Sequence, residues 1–326
     1  MAFNLKGRHL LTLRDYSPQE IGFLIDLSAK LKADKYAGVF SRNLENKNVA
    51  LIFEKPSTRT RCAFVVACVD EGAHPEYLGK GDIQLGKKES VADTARVLGR
   101  MFDGIQFRGF KHETVQTLAE YAGVPVWNGL TDLYHPTQIL ADFLTIKENF
   151  GHLKDITFAY VGDGRNNMAN SLMVGGTKMG MDFRIVSPQS LFPDKKLVQS
   201  CEEFAEASGA KITITDSVEK GVLGADVIYT DVWASMGEES EIPNRIAILK
   251  PYQINESLML KTQKSESIYL HCLPSFHDMK TEVAKQFPDI METSDAVFEG
   301  PQSKVFDQAE NRMHTIKAVM VATLGK

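Results

Sequence analysis

Val49-Ala50-Leu51-Ile52-Phe53-Glu54-Lys55-Pro56-Ser57-Thr58-Arg59-Thr60-Arg61 is the stretch on which the fold turns. Five apolar residues with no polar alternation describe a strand buried on both faces, as in a parallel sheet. The polar run stops that strand, Pro56 punctuates it, and Ser57 or Thr58 can cap a helix carrying Ala63, Phe64, Ala67 and Cys68. Outward from here the same alternation repeats. Ile105–Phe107 and Val124–Trp127 read as strands, with a helix around Glu113–Ala122 between them. Ile139, Leu140, Phe143 and Leu144 then recur at helical spacing as far as Phe150, where Gly151 suits a helix end. A second series follows, with strands at Ile156–Val161, Phe183–Val186, Lys211–Thr215, Val227–Thr230 and Ile268–His271, and a last helix over Asn311–Leu324. The expected fold is α/β with two domains, each a parallel sheet flanked by helices and divided near residue 150. In such sheets ligands gather beyond the C-terminal ends of the strands.

The 326 residues allow two domains with real cores. Hydrophobic residues at 43% and charged residues at 24% exclude collagen-like, mucin-like and largely disordered chains. Lys plus Arg total 37 against 42 for Asp plus Glu, a net charge of -5, so no nucleic-acid surface is expected. A local arginine cluster still suits one small anion. No run reaches the roughly 18 apolar residues of a membrane span, and the first fifteen residues carry too much charge for a signal peptide. Cys62, Cys68, Cys201 and Cys272 show no C-x-x-C spacing and read as reduced thiols. A soluble, cytoplasmic protein is expected.

Five segments carry candidate chemistry. At Ser57–Arg61 a helix start offers unpaired N–H groups, the hydroxyls of Ser57, Thr58 and Thr60, and the planar donor fork of Arg59. Together they suit a phosphate dianion. The plainer alternative is a capped helix with surface arginines. A Walker loop is excluded, because its glycine spacing and lysine are missing. In His135-Pro136-Thr137-Gln138, Pro136 fits the first helical position, so His135 and Gln138 flank one helix entrance. They can hydrogen-bond a carbonyl compound, or merely cap the helix. Gly162-Asp163-Gly164-Arg165-Asn166-Asn167 matches part of a dinucleotide turn, but Asn167 stands where a third glycine is wanted. The following strand ends Val186-Ser187-Pro188, without the acid that binds a ribose. Asp231 to Gly237, followed by Glu238, Glu239 and Glu241, suits a ligand bearing an ammonium group, or is a solvated acidic loop. His271-Cys272-Leu273-Pro274 ends another strand; Cys272 lacks an assigned base, and His271 reads equally as a packed histidine. The remaining histidines show no H-x-x-x-H spacing, so no metal is expected.

In order, Ser57–Arg61, Phe107-Arg108-Gly109 and His135–Gln138 resemble the carbamoyl-phosphate half of the carbamoyltransferase family. Gly162-Asp163 with Asn166-Asn167, Asp231 with Ser235-Met236-Gly237, and His271–Pro274 resemble the acceptor half of its ornithine-using members. The likeness runs to Glu310-Asn311-Arg312-Met313-His314. It implies a domain over 1–150 binding carbamoyl phosphate, one over 151–310 binding ornithine, and a C-terminal helix over 311–326 packing back on the first domain. Ser57, Thr58, Arg59, Thr60 and Arg108 would hold the phosphate. His135, Gln138, Arg312 and the Leu273 carbonyl would hold the carbamoyl group beside Cys272, and Arg61 would be structural. Gln84 to Ser90 resembles a loop crossing to a neighbouring subunit, where Gln84 would complete the phosphate site of a homotrimer. The Leu273–Pro274 bond would be cis, and no cofactor is implied.

The implied acceptor is L-ornithine. Asn167, Ser235 and Met236 would hold its α-carboxylate and Asp231 its α-ammonium, with the δ-amine near Cys272. An aspartate acceptor would call for Arg or Lys around this loop. Putrescine-using relatives replace Ser-Met-Gly, and relatives acting on acylated ornithine depart at the Thr58 position. The implied reaction is reversible, direct attack by the neutral δ-amine through a tetrahedral intermediate, giving citrulline and phosphate, with Arg59, His135, Cys272 and Arg312 catalytic. An alkylamine of pKa about 10.4 costs about 4.6 kcal/mol to present neutral at pH 7. Domain closure is expected of a site split between two domains. Two rivals are a nicotinamide-dependent dehydrogenase, resting on Gly162-x-Gly164 alone, and a non-catalytic carbamoyl-phosphate-binding relative.

Overall fold

The computed structural model describes residues 3–234 and 239–325. Contacts divide the chain into two units, Met1–Leu144 with Glu310–Lys326, and Thr145–Ala309. In the first, β1 (Asn48–Phe53), β2 (His74–Gly79), β3 (Gly104–Arg108) and β4 (Val126–Leu130) form a parallel sheet in the order β2-β1-β3-β4. α1 (Pro18–Tyr36) precedes the sheet. α2 (Thr58–Asp70), α3 (Val91–Met101) and α4 (His112–Ala122) make its crossovers, and α5 (Pro136–Phe150) follows it. Val49 to Phe53 are all buried. Successive side chains alternate between faces, so Ile105 and Phe107 pack with Leu98, Val115 and Leu118 while Gln106 and Arg108 face the other way.

The second unit runs β5 (Thr157–Val161), α6 (Asn167–Lys178), β6 (Asp182–Val186), α7 (Lys195–Ser208), β7 (Lys211–Thr215), α8 (Val218–Val222) and β8 (Val227–Thr230). It continues through α9 (Ile242–Leu249), α10 (Glu256–Leu260), β9 (Ile268–His271), α11 (Glu282–Gln286) and α12 (Asp295–Phe298) to the start of α13 (Val305–Leu324). Its five parallel strands lie in the order β7-β6-β5-β8-β9.

Both sheets therefore reverse strand order once. In the first unit the switch lies between β1 and β3, in the second between β5 and β8. A crevice opens at such a point, because the two neighbouring crossovers run away in opposite directions. The segments that follow these four strands begin at Glu54, Gly109, Gly162 and Asp231.

The C-terminal helix belongs to the first unit from Glu310 on. Cys68 and Met320 meet at 3.8 Å, Trp127 Nε1 donates to Thr323 Oγ1 at 3.1 Å, and Lys317 pairs with Asp70 at 2.7 Å. This helix starts at Val305, before the expected Asn311, since the turn at Gly300–Ser303 is where the chain last breaks helical geometry. The strand expected at Val124–Trp127 lies at Val126–Leu130: Pro125 leads in, its carbonyl accepting from Ile105, and the polar Asn128 continues the strand because its amide pairs with Leu11 and Tyr134 carbonyls. The edge strand β2 has no counterpart in the sequence expectations.

Candidate functional site

In the first unit, Ser57 caps α2, its Oγ accepting from Thr60 N at 3.3 Å. Thr60, one turn in, is fully buried. Its Oγ1 accepts from Arg312 Nη2 at 2.9 Å and from Arg108 Nη1 at 3.3 Å. Arg312 Nη1 donates to Gln138 Oε1 at 3.0 Å, and Gln138 Nε2 donates in turn to Asp142 Oδ1 at 2.8 Å. Gly129 leaves room for this arrangement: a Cβ there would lie 2.5 Å from Gln106 Nε2 and 3.2 Å from Thr60 Cγ2. α5 starts at Pro136, which places His135 at its mouth as the sequence implied. Burial, and then the charges of Arg312, Arg108 and Arg59, push the His135 imidazole well below its ordinary value, so it is neutral at pH 7. The buried guanidinium of Arg312 and the half-buried one of Arg108, converging beside a neutral imidazole and a carboxamide, suit a small dianion carrying a carbonyl group.

The structure thus brings Thr60, Arg108, His135, Gln138 and Arg312 together, with Ser57 and the half-buried Arg59 at the same helix start. Thr58 is exposed there. Arg61 does not join them; its guanidinium stacks on Tyr77 at 3.8 Å, and Tyr77 packs on Phe53. Gln84 is exposed on a turn whose carbonyl accepts from Lys87 and Lys88, and no hydrogen bond among the described residues ties its side chain to the cluster.

In the second unit, Asn166 caps α6, its Oδ1 accepting from Ala169 N at 2.8 Å. Its Nδ2 donates to Tyr160 Oη at 2.8 Å and to Asp231 Oδ2 at 3.3 Å. Asp231 Oδ1 accepts from Val232 N at 2.8 Å and Cys272 Sγ at 3.1 Å. Burial raises the Asp231 carboxyl above its ordinary range, against the opposing pull of His271 and of the hydrogen bonds from Cys272 and Val232. Asn167 opens α6, half-buried, next in the chain to the cap. Ser235 and Met236 lie outside the described residues.

Behind this cluster sits a fully buried carboxylate, Glu292. Its Oε1 accepts from Ser275 Oγ at 2.6 Å and Phe276 N at 2.7 Å, and lies 3.2 Å from His271 Nε2. His271 Nδ1 accepts from Leu273 N at 2.8 Å, and its Nε2 is turned toward Glu292. His271 is thus a packed histidine that holds the Cys272-Leu273-Pro274 turn. The Leu273–Pro274 bond is cis, and Leu273 sits at φ 58.

Two groups of described residues approach metal-ligand spacing, Asp231-His271-Cys272 and His277-Asp295-Glu299. In the first, His271 Nδ1 already accepts from Leu273 N, and Nε2 lies 3.2 Å from Glu292 Oε1. In the second, His277 Nδ1 is paired with Asp295 at 2.7 Å. The Gly162–Asn167 turn is also spoken for. Asp163 accepts from Arg165 N at 2.9 Å and from the buried Arg245 at 2.7 Å, and a Cβ at Gly164 would lie 2.8 Å from the Leu191 carbonyl.

Asp142, Glu292 and Arg245 are supporting residues that sequence motifs did not single out, and Asn166 stood in a motif without a role of its own. Only Asp142 carried a local signal, its i+4 spacing from Gln138 on one helix face.

The aspartate/ornithine carbamoyltransferase carbamoyl-P binding domain matches residues 8–148, and the Asp/Orn binding domain of the same family matches residues 154–323. The chain is 62% identical to a catabolic ornithine carbamoyltransferase of Bacillus licheniformis, over 99% of this chain and 98% of that one. It is 59% identical to a protein of the same name from Bacillus thuringiensis subsp. konkukian, over 99% and 97%. Among solved structures, the ornithine carbamoyltransferase of Pyrococcus furiosus superposes with a TM-score of 0.92 at 43% identity, covering 99% of both chains.

Proposed function

The chain belongs to the aspartate/ornithine carbamoyltransferase family, and we propose that it transfers the carbamoyl group of carbamoyl phosphate to the δ-amine of L-ornithine, giving L-citrulline and phosphate. The observation that carries this is the hydrogen-bonded Thr60-Arg108-Arg312-Gln138 cluster, buried except at the half-exposed Arg108, with its neutral His135, at the switch point of the first sheet.

Carbamoyl phosphate binds with its phosphate on Ser57, Thr58, Arg59, Thr60 and Arg108, completed by Gln84 of a neighbouring subunit. Its carbamoyl group lies toward His135, Gln138, Arg312 and the Leu273 carbonyl. Ornithine binds through Asn167, Ser235 and Met236 to its carboxylate and through Asp231 to its α-ammonium. The δ-amine gives up its ammonium proton, with Cys272 relaying it toward Asp231, and attacks the carbonyl carbon. The oxyanion of the tetrahedral intermediate is held by Arg59, His135 and Arg312. It collapses by breaking the C–O bond to phosphate while the second proton of the attacking nitrogen passes to the departing phosphate oxygen, so that citrulline is neutral at that nitrogen and phosphate leaves as the hydrogen phosphate dianion. Fixed donors aimed at a developing oxyanion are each worth about 10²–10³ in rate. His135 can serve here because it stays neutral among cations.

The proposed assembly is a homotrimer, consistent with the exposed apolar side chains Val66, Val69, Val97 and Met101 on α2 and α3. A cytoplasmic location suits four cysteines none of which forms a disulfide among the described residues. No helix among the described residues is long and apolar enough to cross a membrane. The proposed cellular direction is breakdown of citrulline, since the relatives at 62% and 59% identity are named catabolic. The test is to incubate the purified chain with carbamoyl phosphate and ornithine and follow both products. Citrulline and phosphate should appear in equal amounts; phosphate release without citrulline would overturn transfer.

A further inference from the structure

We propose that Asp142 is a positioning residue for the carbamoyl end of the substrate, acting through Gln138. The proposal rests on the carbamoyl-phosphate reading above, and concerns how the recognising carboxamide is held. A glutamine amide has two nearly isosteric ends, one accepting and one donating, and either can face a given partner. Here its surroundings allow one orientation. Gln138 and Asp142 stand four residues apart on α5, and both are buried, at 1% and 0% exposure. Asp142 Oδ1 accepts from Gln138 Nε2 at 2.8 Å, while Arg312, which can only donate, gives Nη1–H to Gln138 Oε1 at 3.0 Å. Turning the amide over would set oxygen against the carboxylate and N–H against the guanidinium. The observed orientation leaves the second lone pair of Oε1 for an N–H of the carbamoyl group, a contact that phosphate alone does not make. Arg312 Nη2 reaches Thr60 Oγ1 at 2.9 Å, so the carbamoyl-facing amide and the phosphate-facing hydroxyl share one guanidinium. Asp142 enters that chain at Gln138, on its carbamoyl side.

Positioning and simple packing make different predictions for two ligands. The affinity of Asp142→Leu for carbamoyl phosphate should fall about tenfold, the loss of one oriented hydrogen bond, while its affinity for inorganic phosphate stays within about twofold. Asp142→Asn keeps an acceptor of the same shape and should restore carbamoyl phosphate binding to within about threefold of the parent. Should the leucine variant not fold, Asp142→Ser is small, polar and too short to span the gap, and should show the same split. In a Gln138→Ala background either substitution should cause no further loss, because the group being positioned is gone. Equal weakening of both ligands, additive losses with Gln138→Ala, or an asparagine variant as impaired as the leucine variant would overturn the proposal. If the parent chain binds inorganic phosphate but not carbamoyl phosphate, the functional reading itself fails. If the parent binds both and the variants match it, only the role of Asp142 fails.

Discussion

Cys272 Sγ lies 3.1 Å from Oδ1 of Asp231 and donates its proton there. The same oxygen takes Val232 N–H, and the other takes Asn166 Nδ2. A carboxylate held from both sides keeps one rotamer, which is what a single ammonium partner needs.

Acidification should therefore weaken the acceptor site earlier than an ordinary aspartate would. Burial raises Asp231 above 3.8, so on lowering the pH it takes up its proton at a higher pH than usual. Only the ionised form attracts an ammonium group. L-Norvaline, which keeps the α-ammonium and α-carboxylate but lacks the δ-amine, is expected to lose affinity with a midpoint above 3.8. A midpoint at or below that value would remove Asp231 from ammonium binding.

The same shift makes Asp231 a cost to the fold. Between 3.8 and its raised native value the native state binds the proton more tightly than the unfolded chain. Stability consequently falls as pH rises through that window, and the deficit persists at pH 7. Asp231→Asn is expected to raise the melting temperature at pH 7 while impairing ornithine use and sparing carbamoyl-phosphate binding. Thermal scans and calorimetry on one preparation check both halves; a less stable variant with both ligands weakened would contradict them.

His135 works with the opposite sign. Its native value is held well below 6.5, so between that value and 6.5 the unfolded chain binds a proton that the native state refuses. Stability should rise with pH across this window, by up to about 1.4 kcal/mol per pH unit, and level off above 6.5. His135→Gln should flatten that part of a urea-melt series; an unchanged slope would show that other groups produce it.

Arg59→Ala should leave less than a tenth of the parent turnover, since about 10²–10³ is typical for one oxyanion donor. Steady-state assays at saturating substrates decide this, and a variant keeping more than a tenth would place the oxyanion elsewhere.

Strands buried on both faces were legible from their apolar runs, and Val227–Thr230 and Ile268–His271 appear with the expected bounds; so does the edge strand Lys211–Thr215, from its alternating pattern. β2 was not. His74-Pro75-Glu76-Tyr77-Leu78-Gly79 lies at a sheet edge with only Gly79 buried, and an edge tolerates proline and charge that a central strand would not. The polar residues that directly follow β1, β3, β5 and β8 could be read because motif and topology point to the same strand ends. Glu292 could not, because its role comes from meeting His271, Ser275 and Phe276 across an intervening loop, and nothing local in Met291-Glu292-Thr293 marks it. Arg245 is similar; its partner Asp163 belongs to a distant turn.

The central claim is that the second unit is built for ornithine. The most direct measurement compares ornithine, putrescine, aspartate and N-acetylornithine as acceptors with carbamoyl phosphate, quantifying each carbamoylated product. A kcat/KM for ornithine at least about a hundredfold above each of the others is expected if, as proposed, Asp231 and Asn167 read both α-substituents. Putrescine or N-acetylornithine turned over as well as ornithine would contradict it.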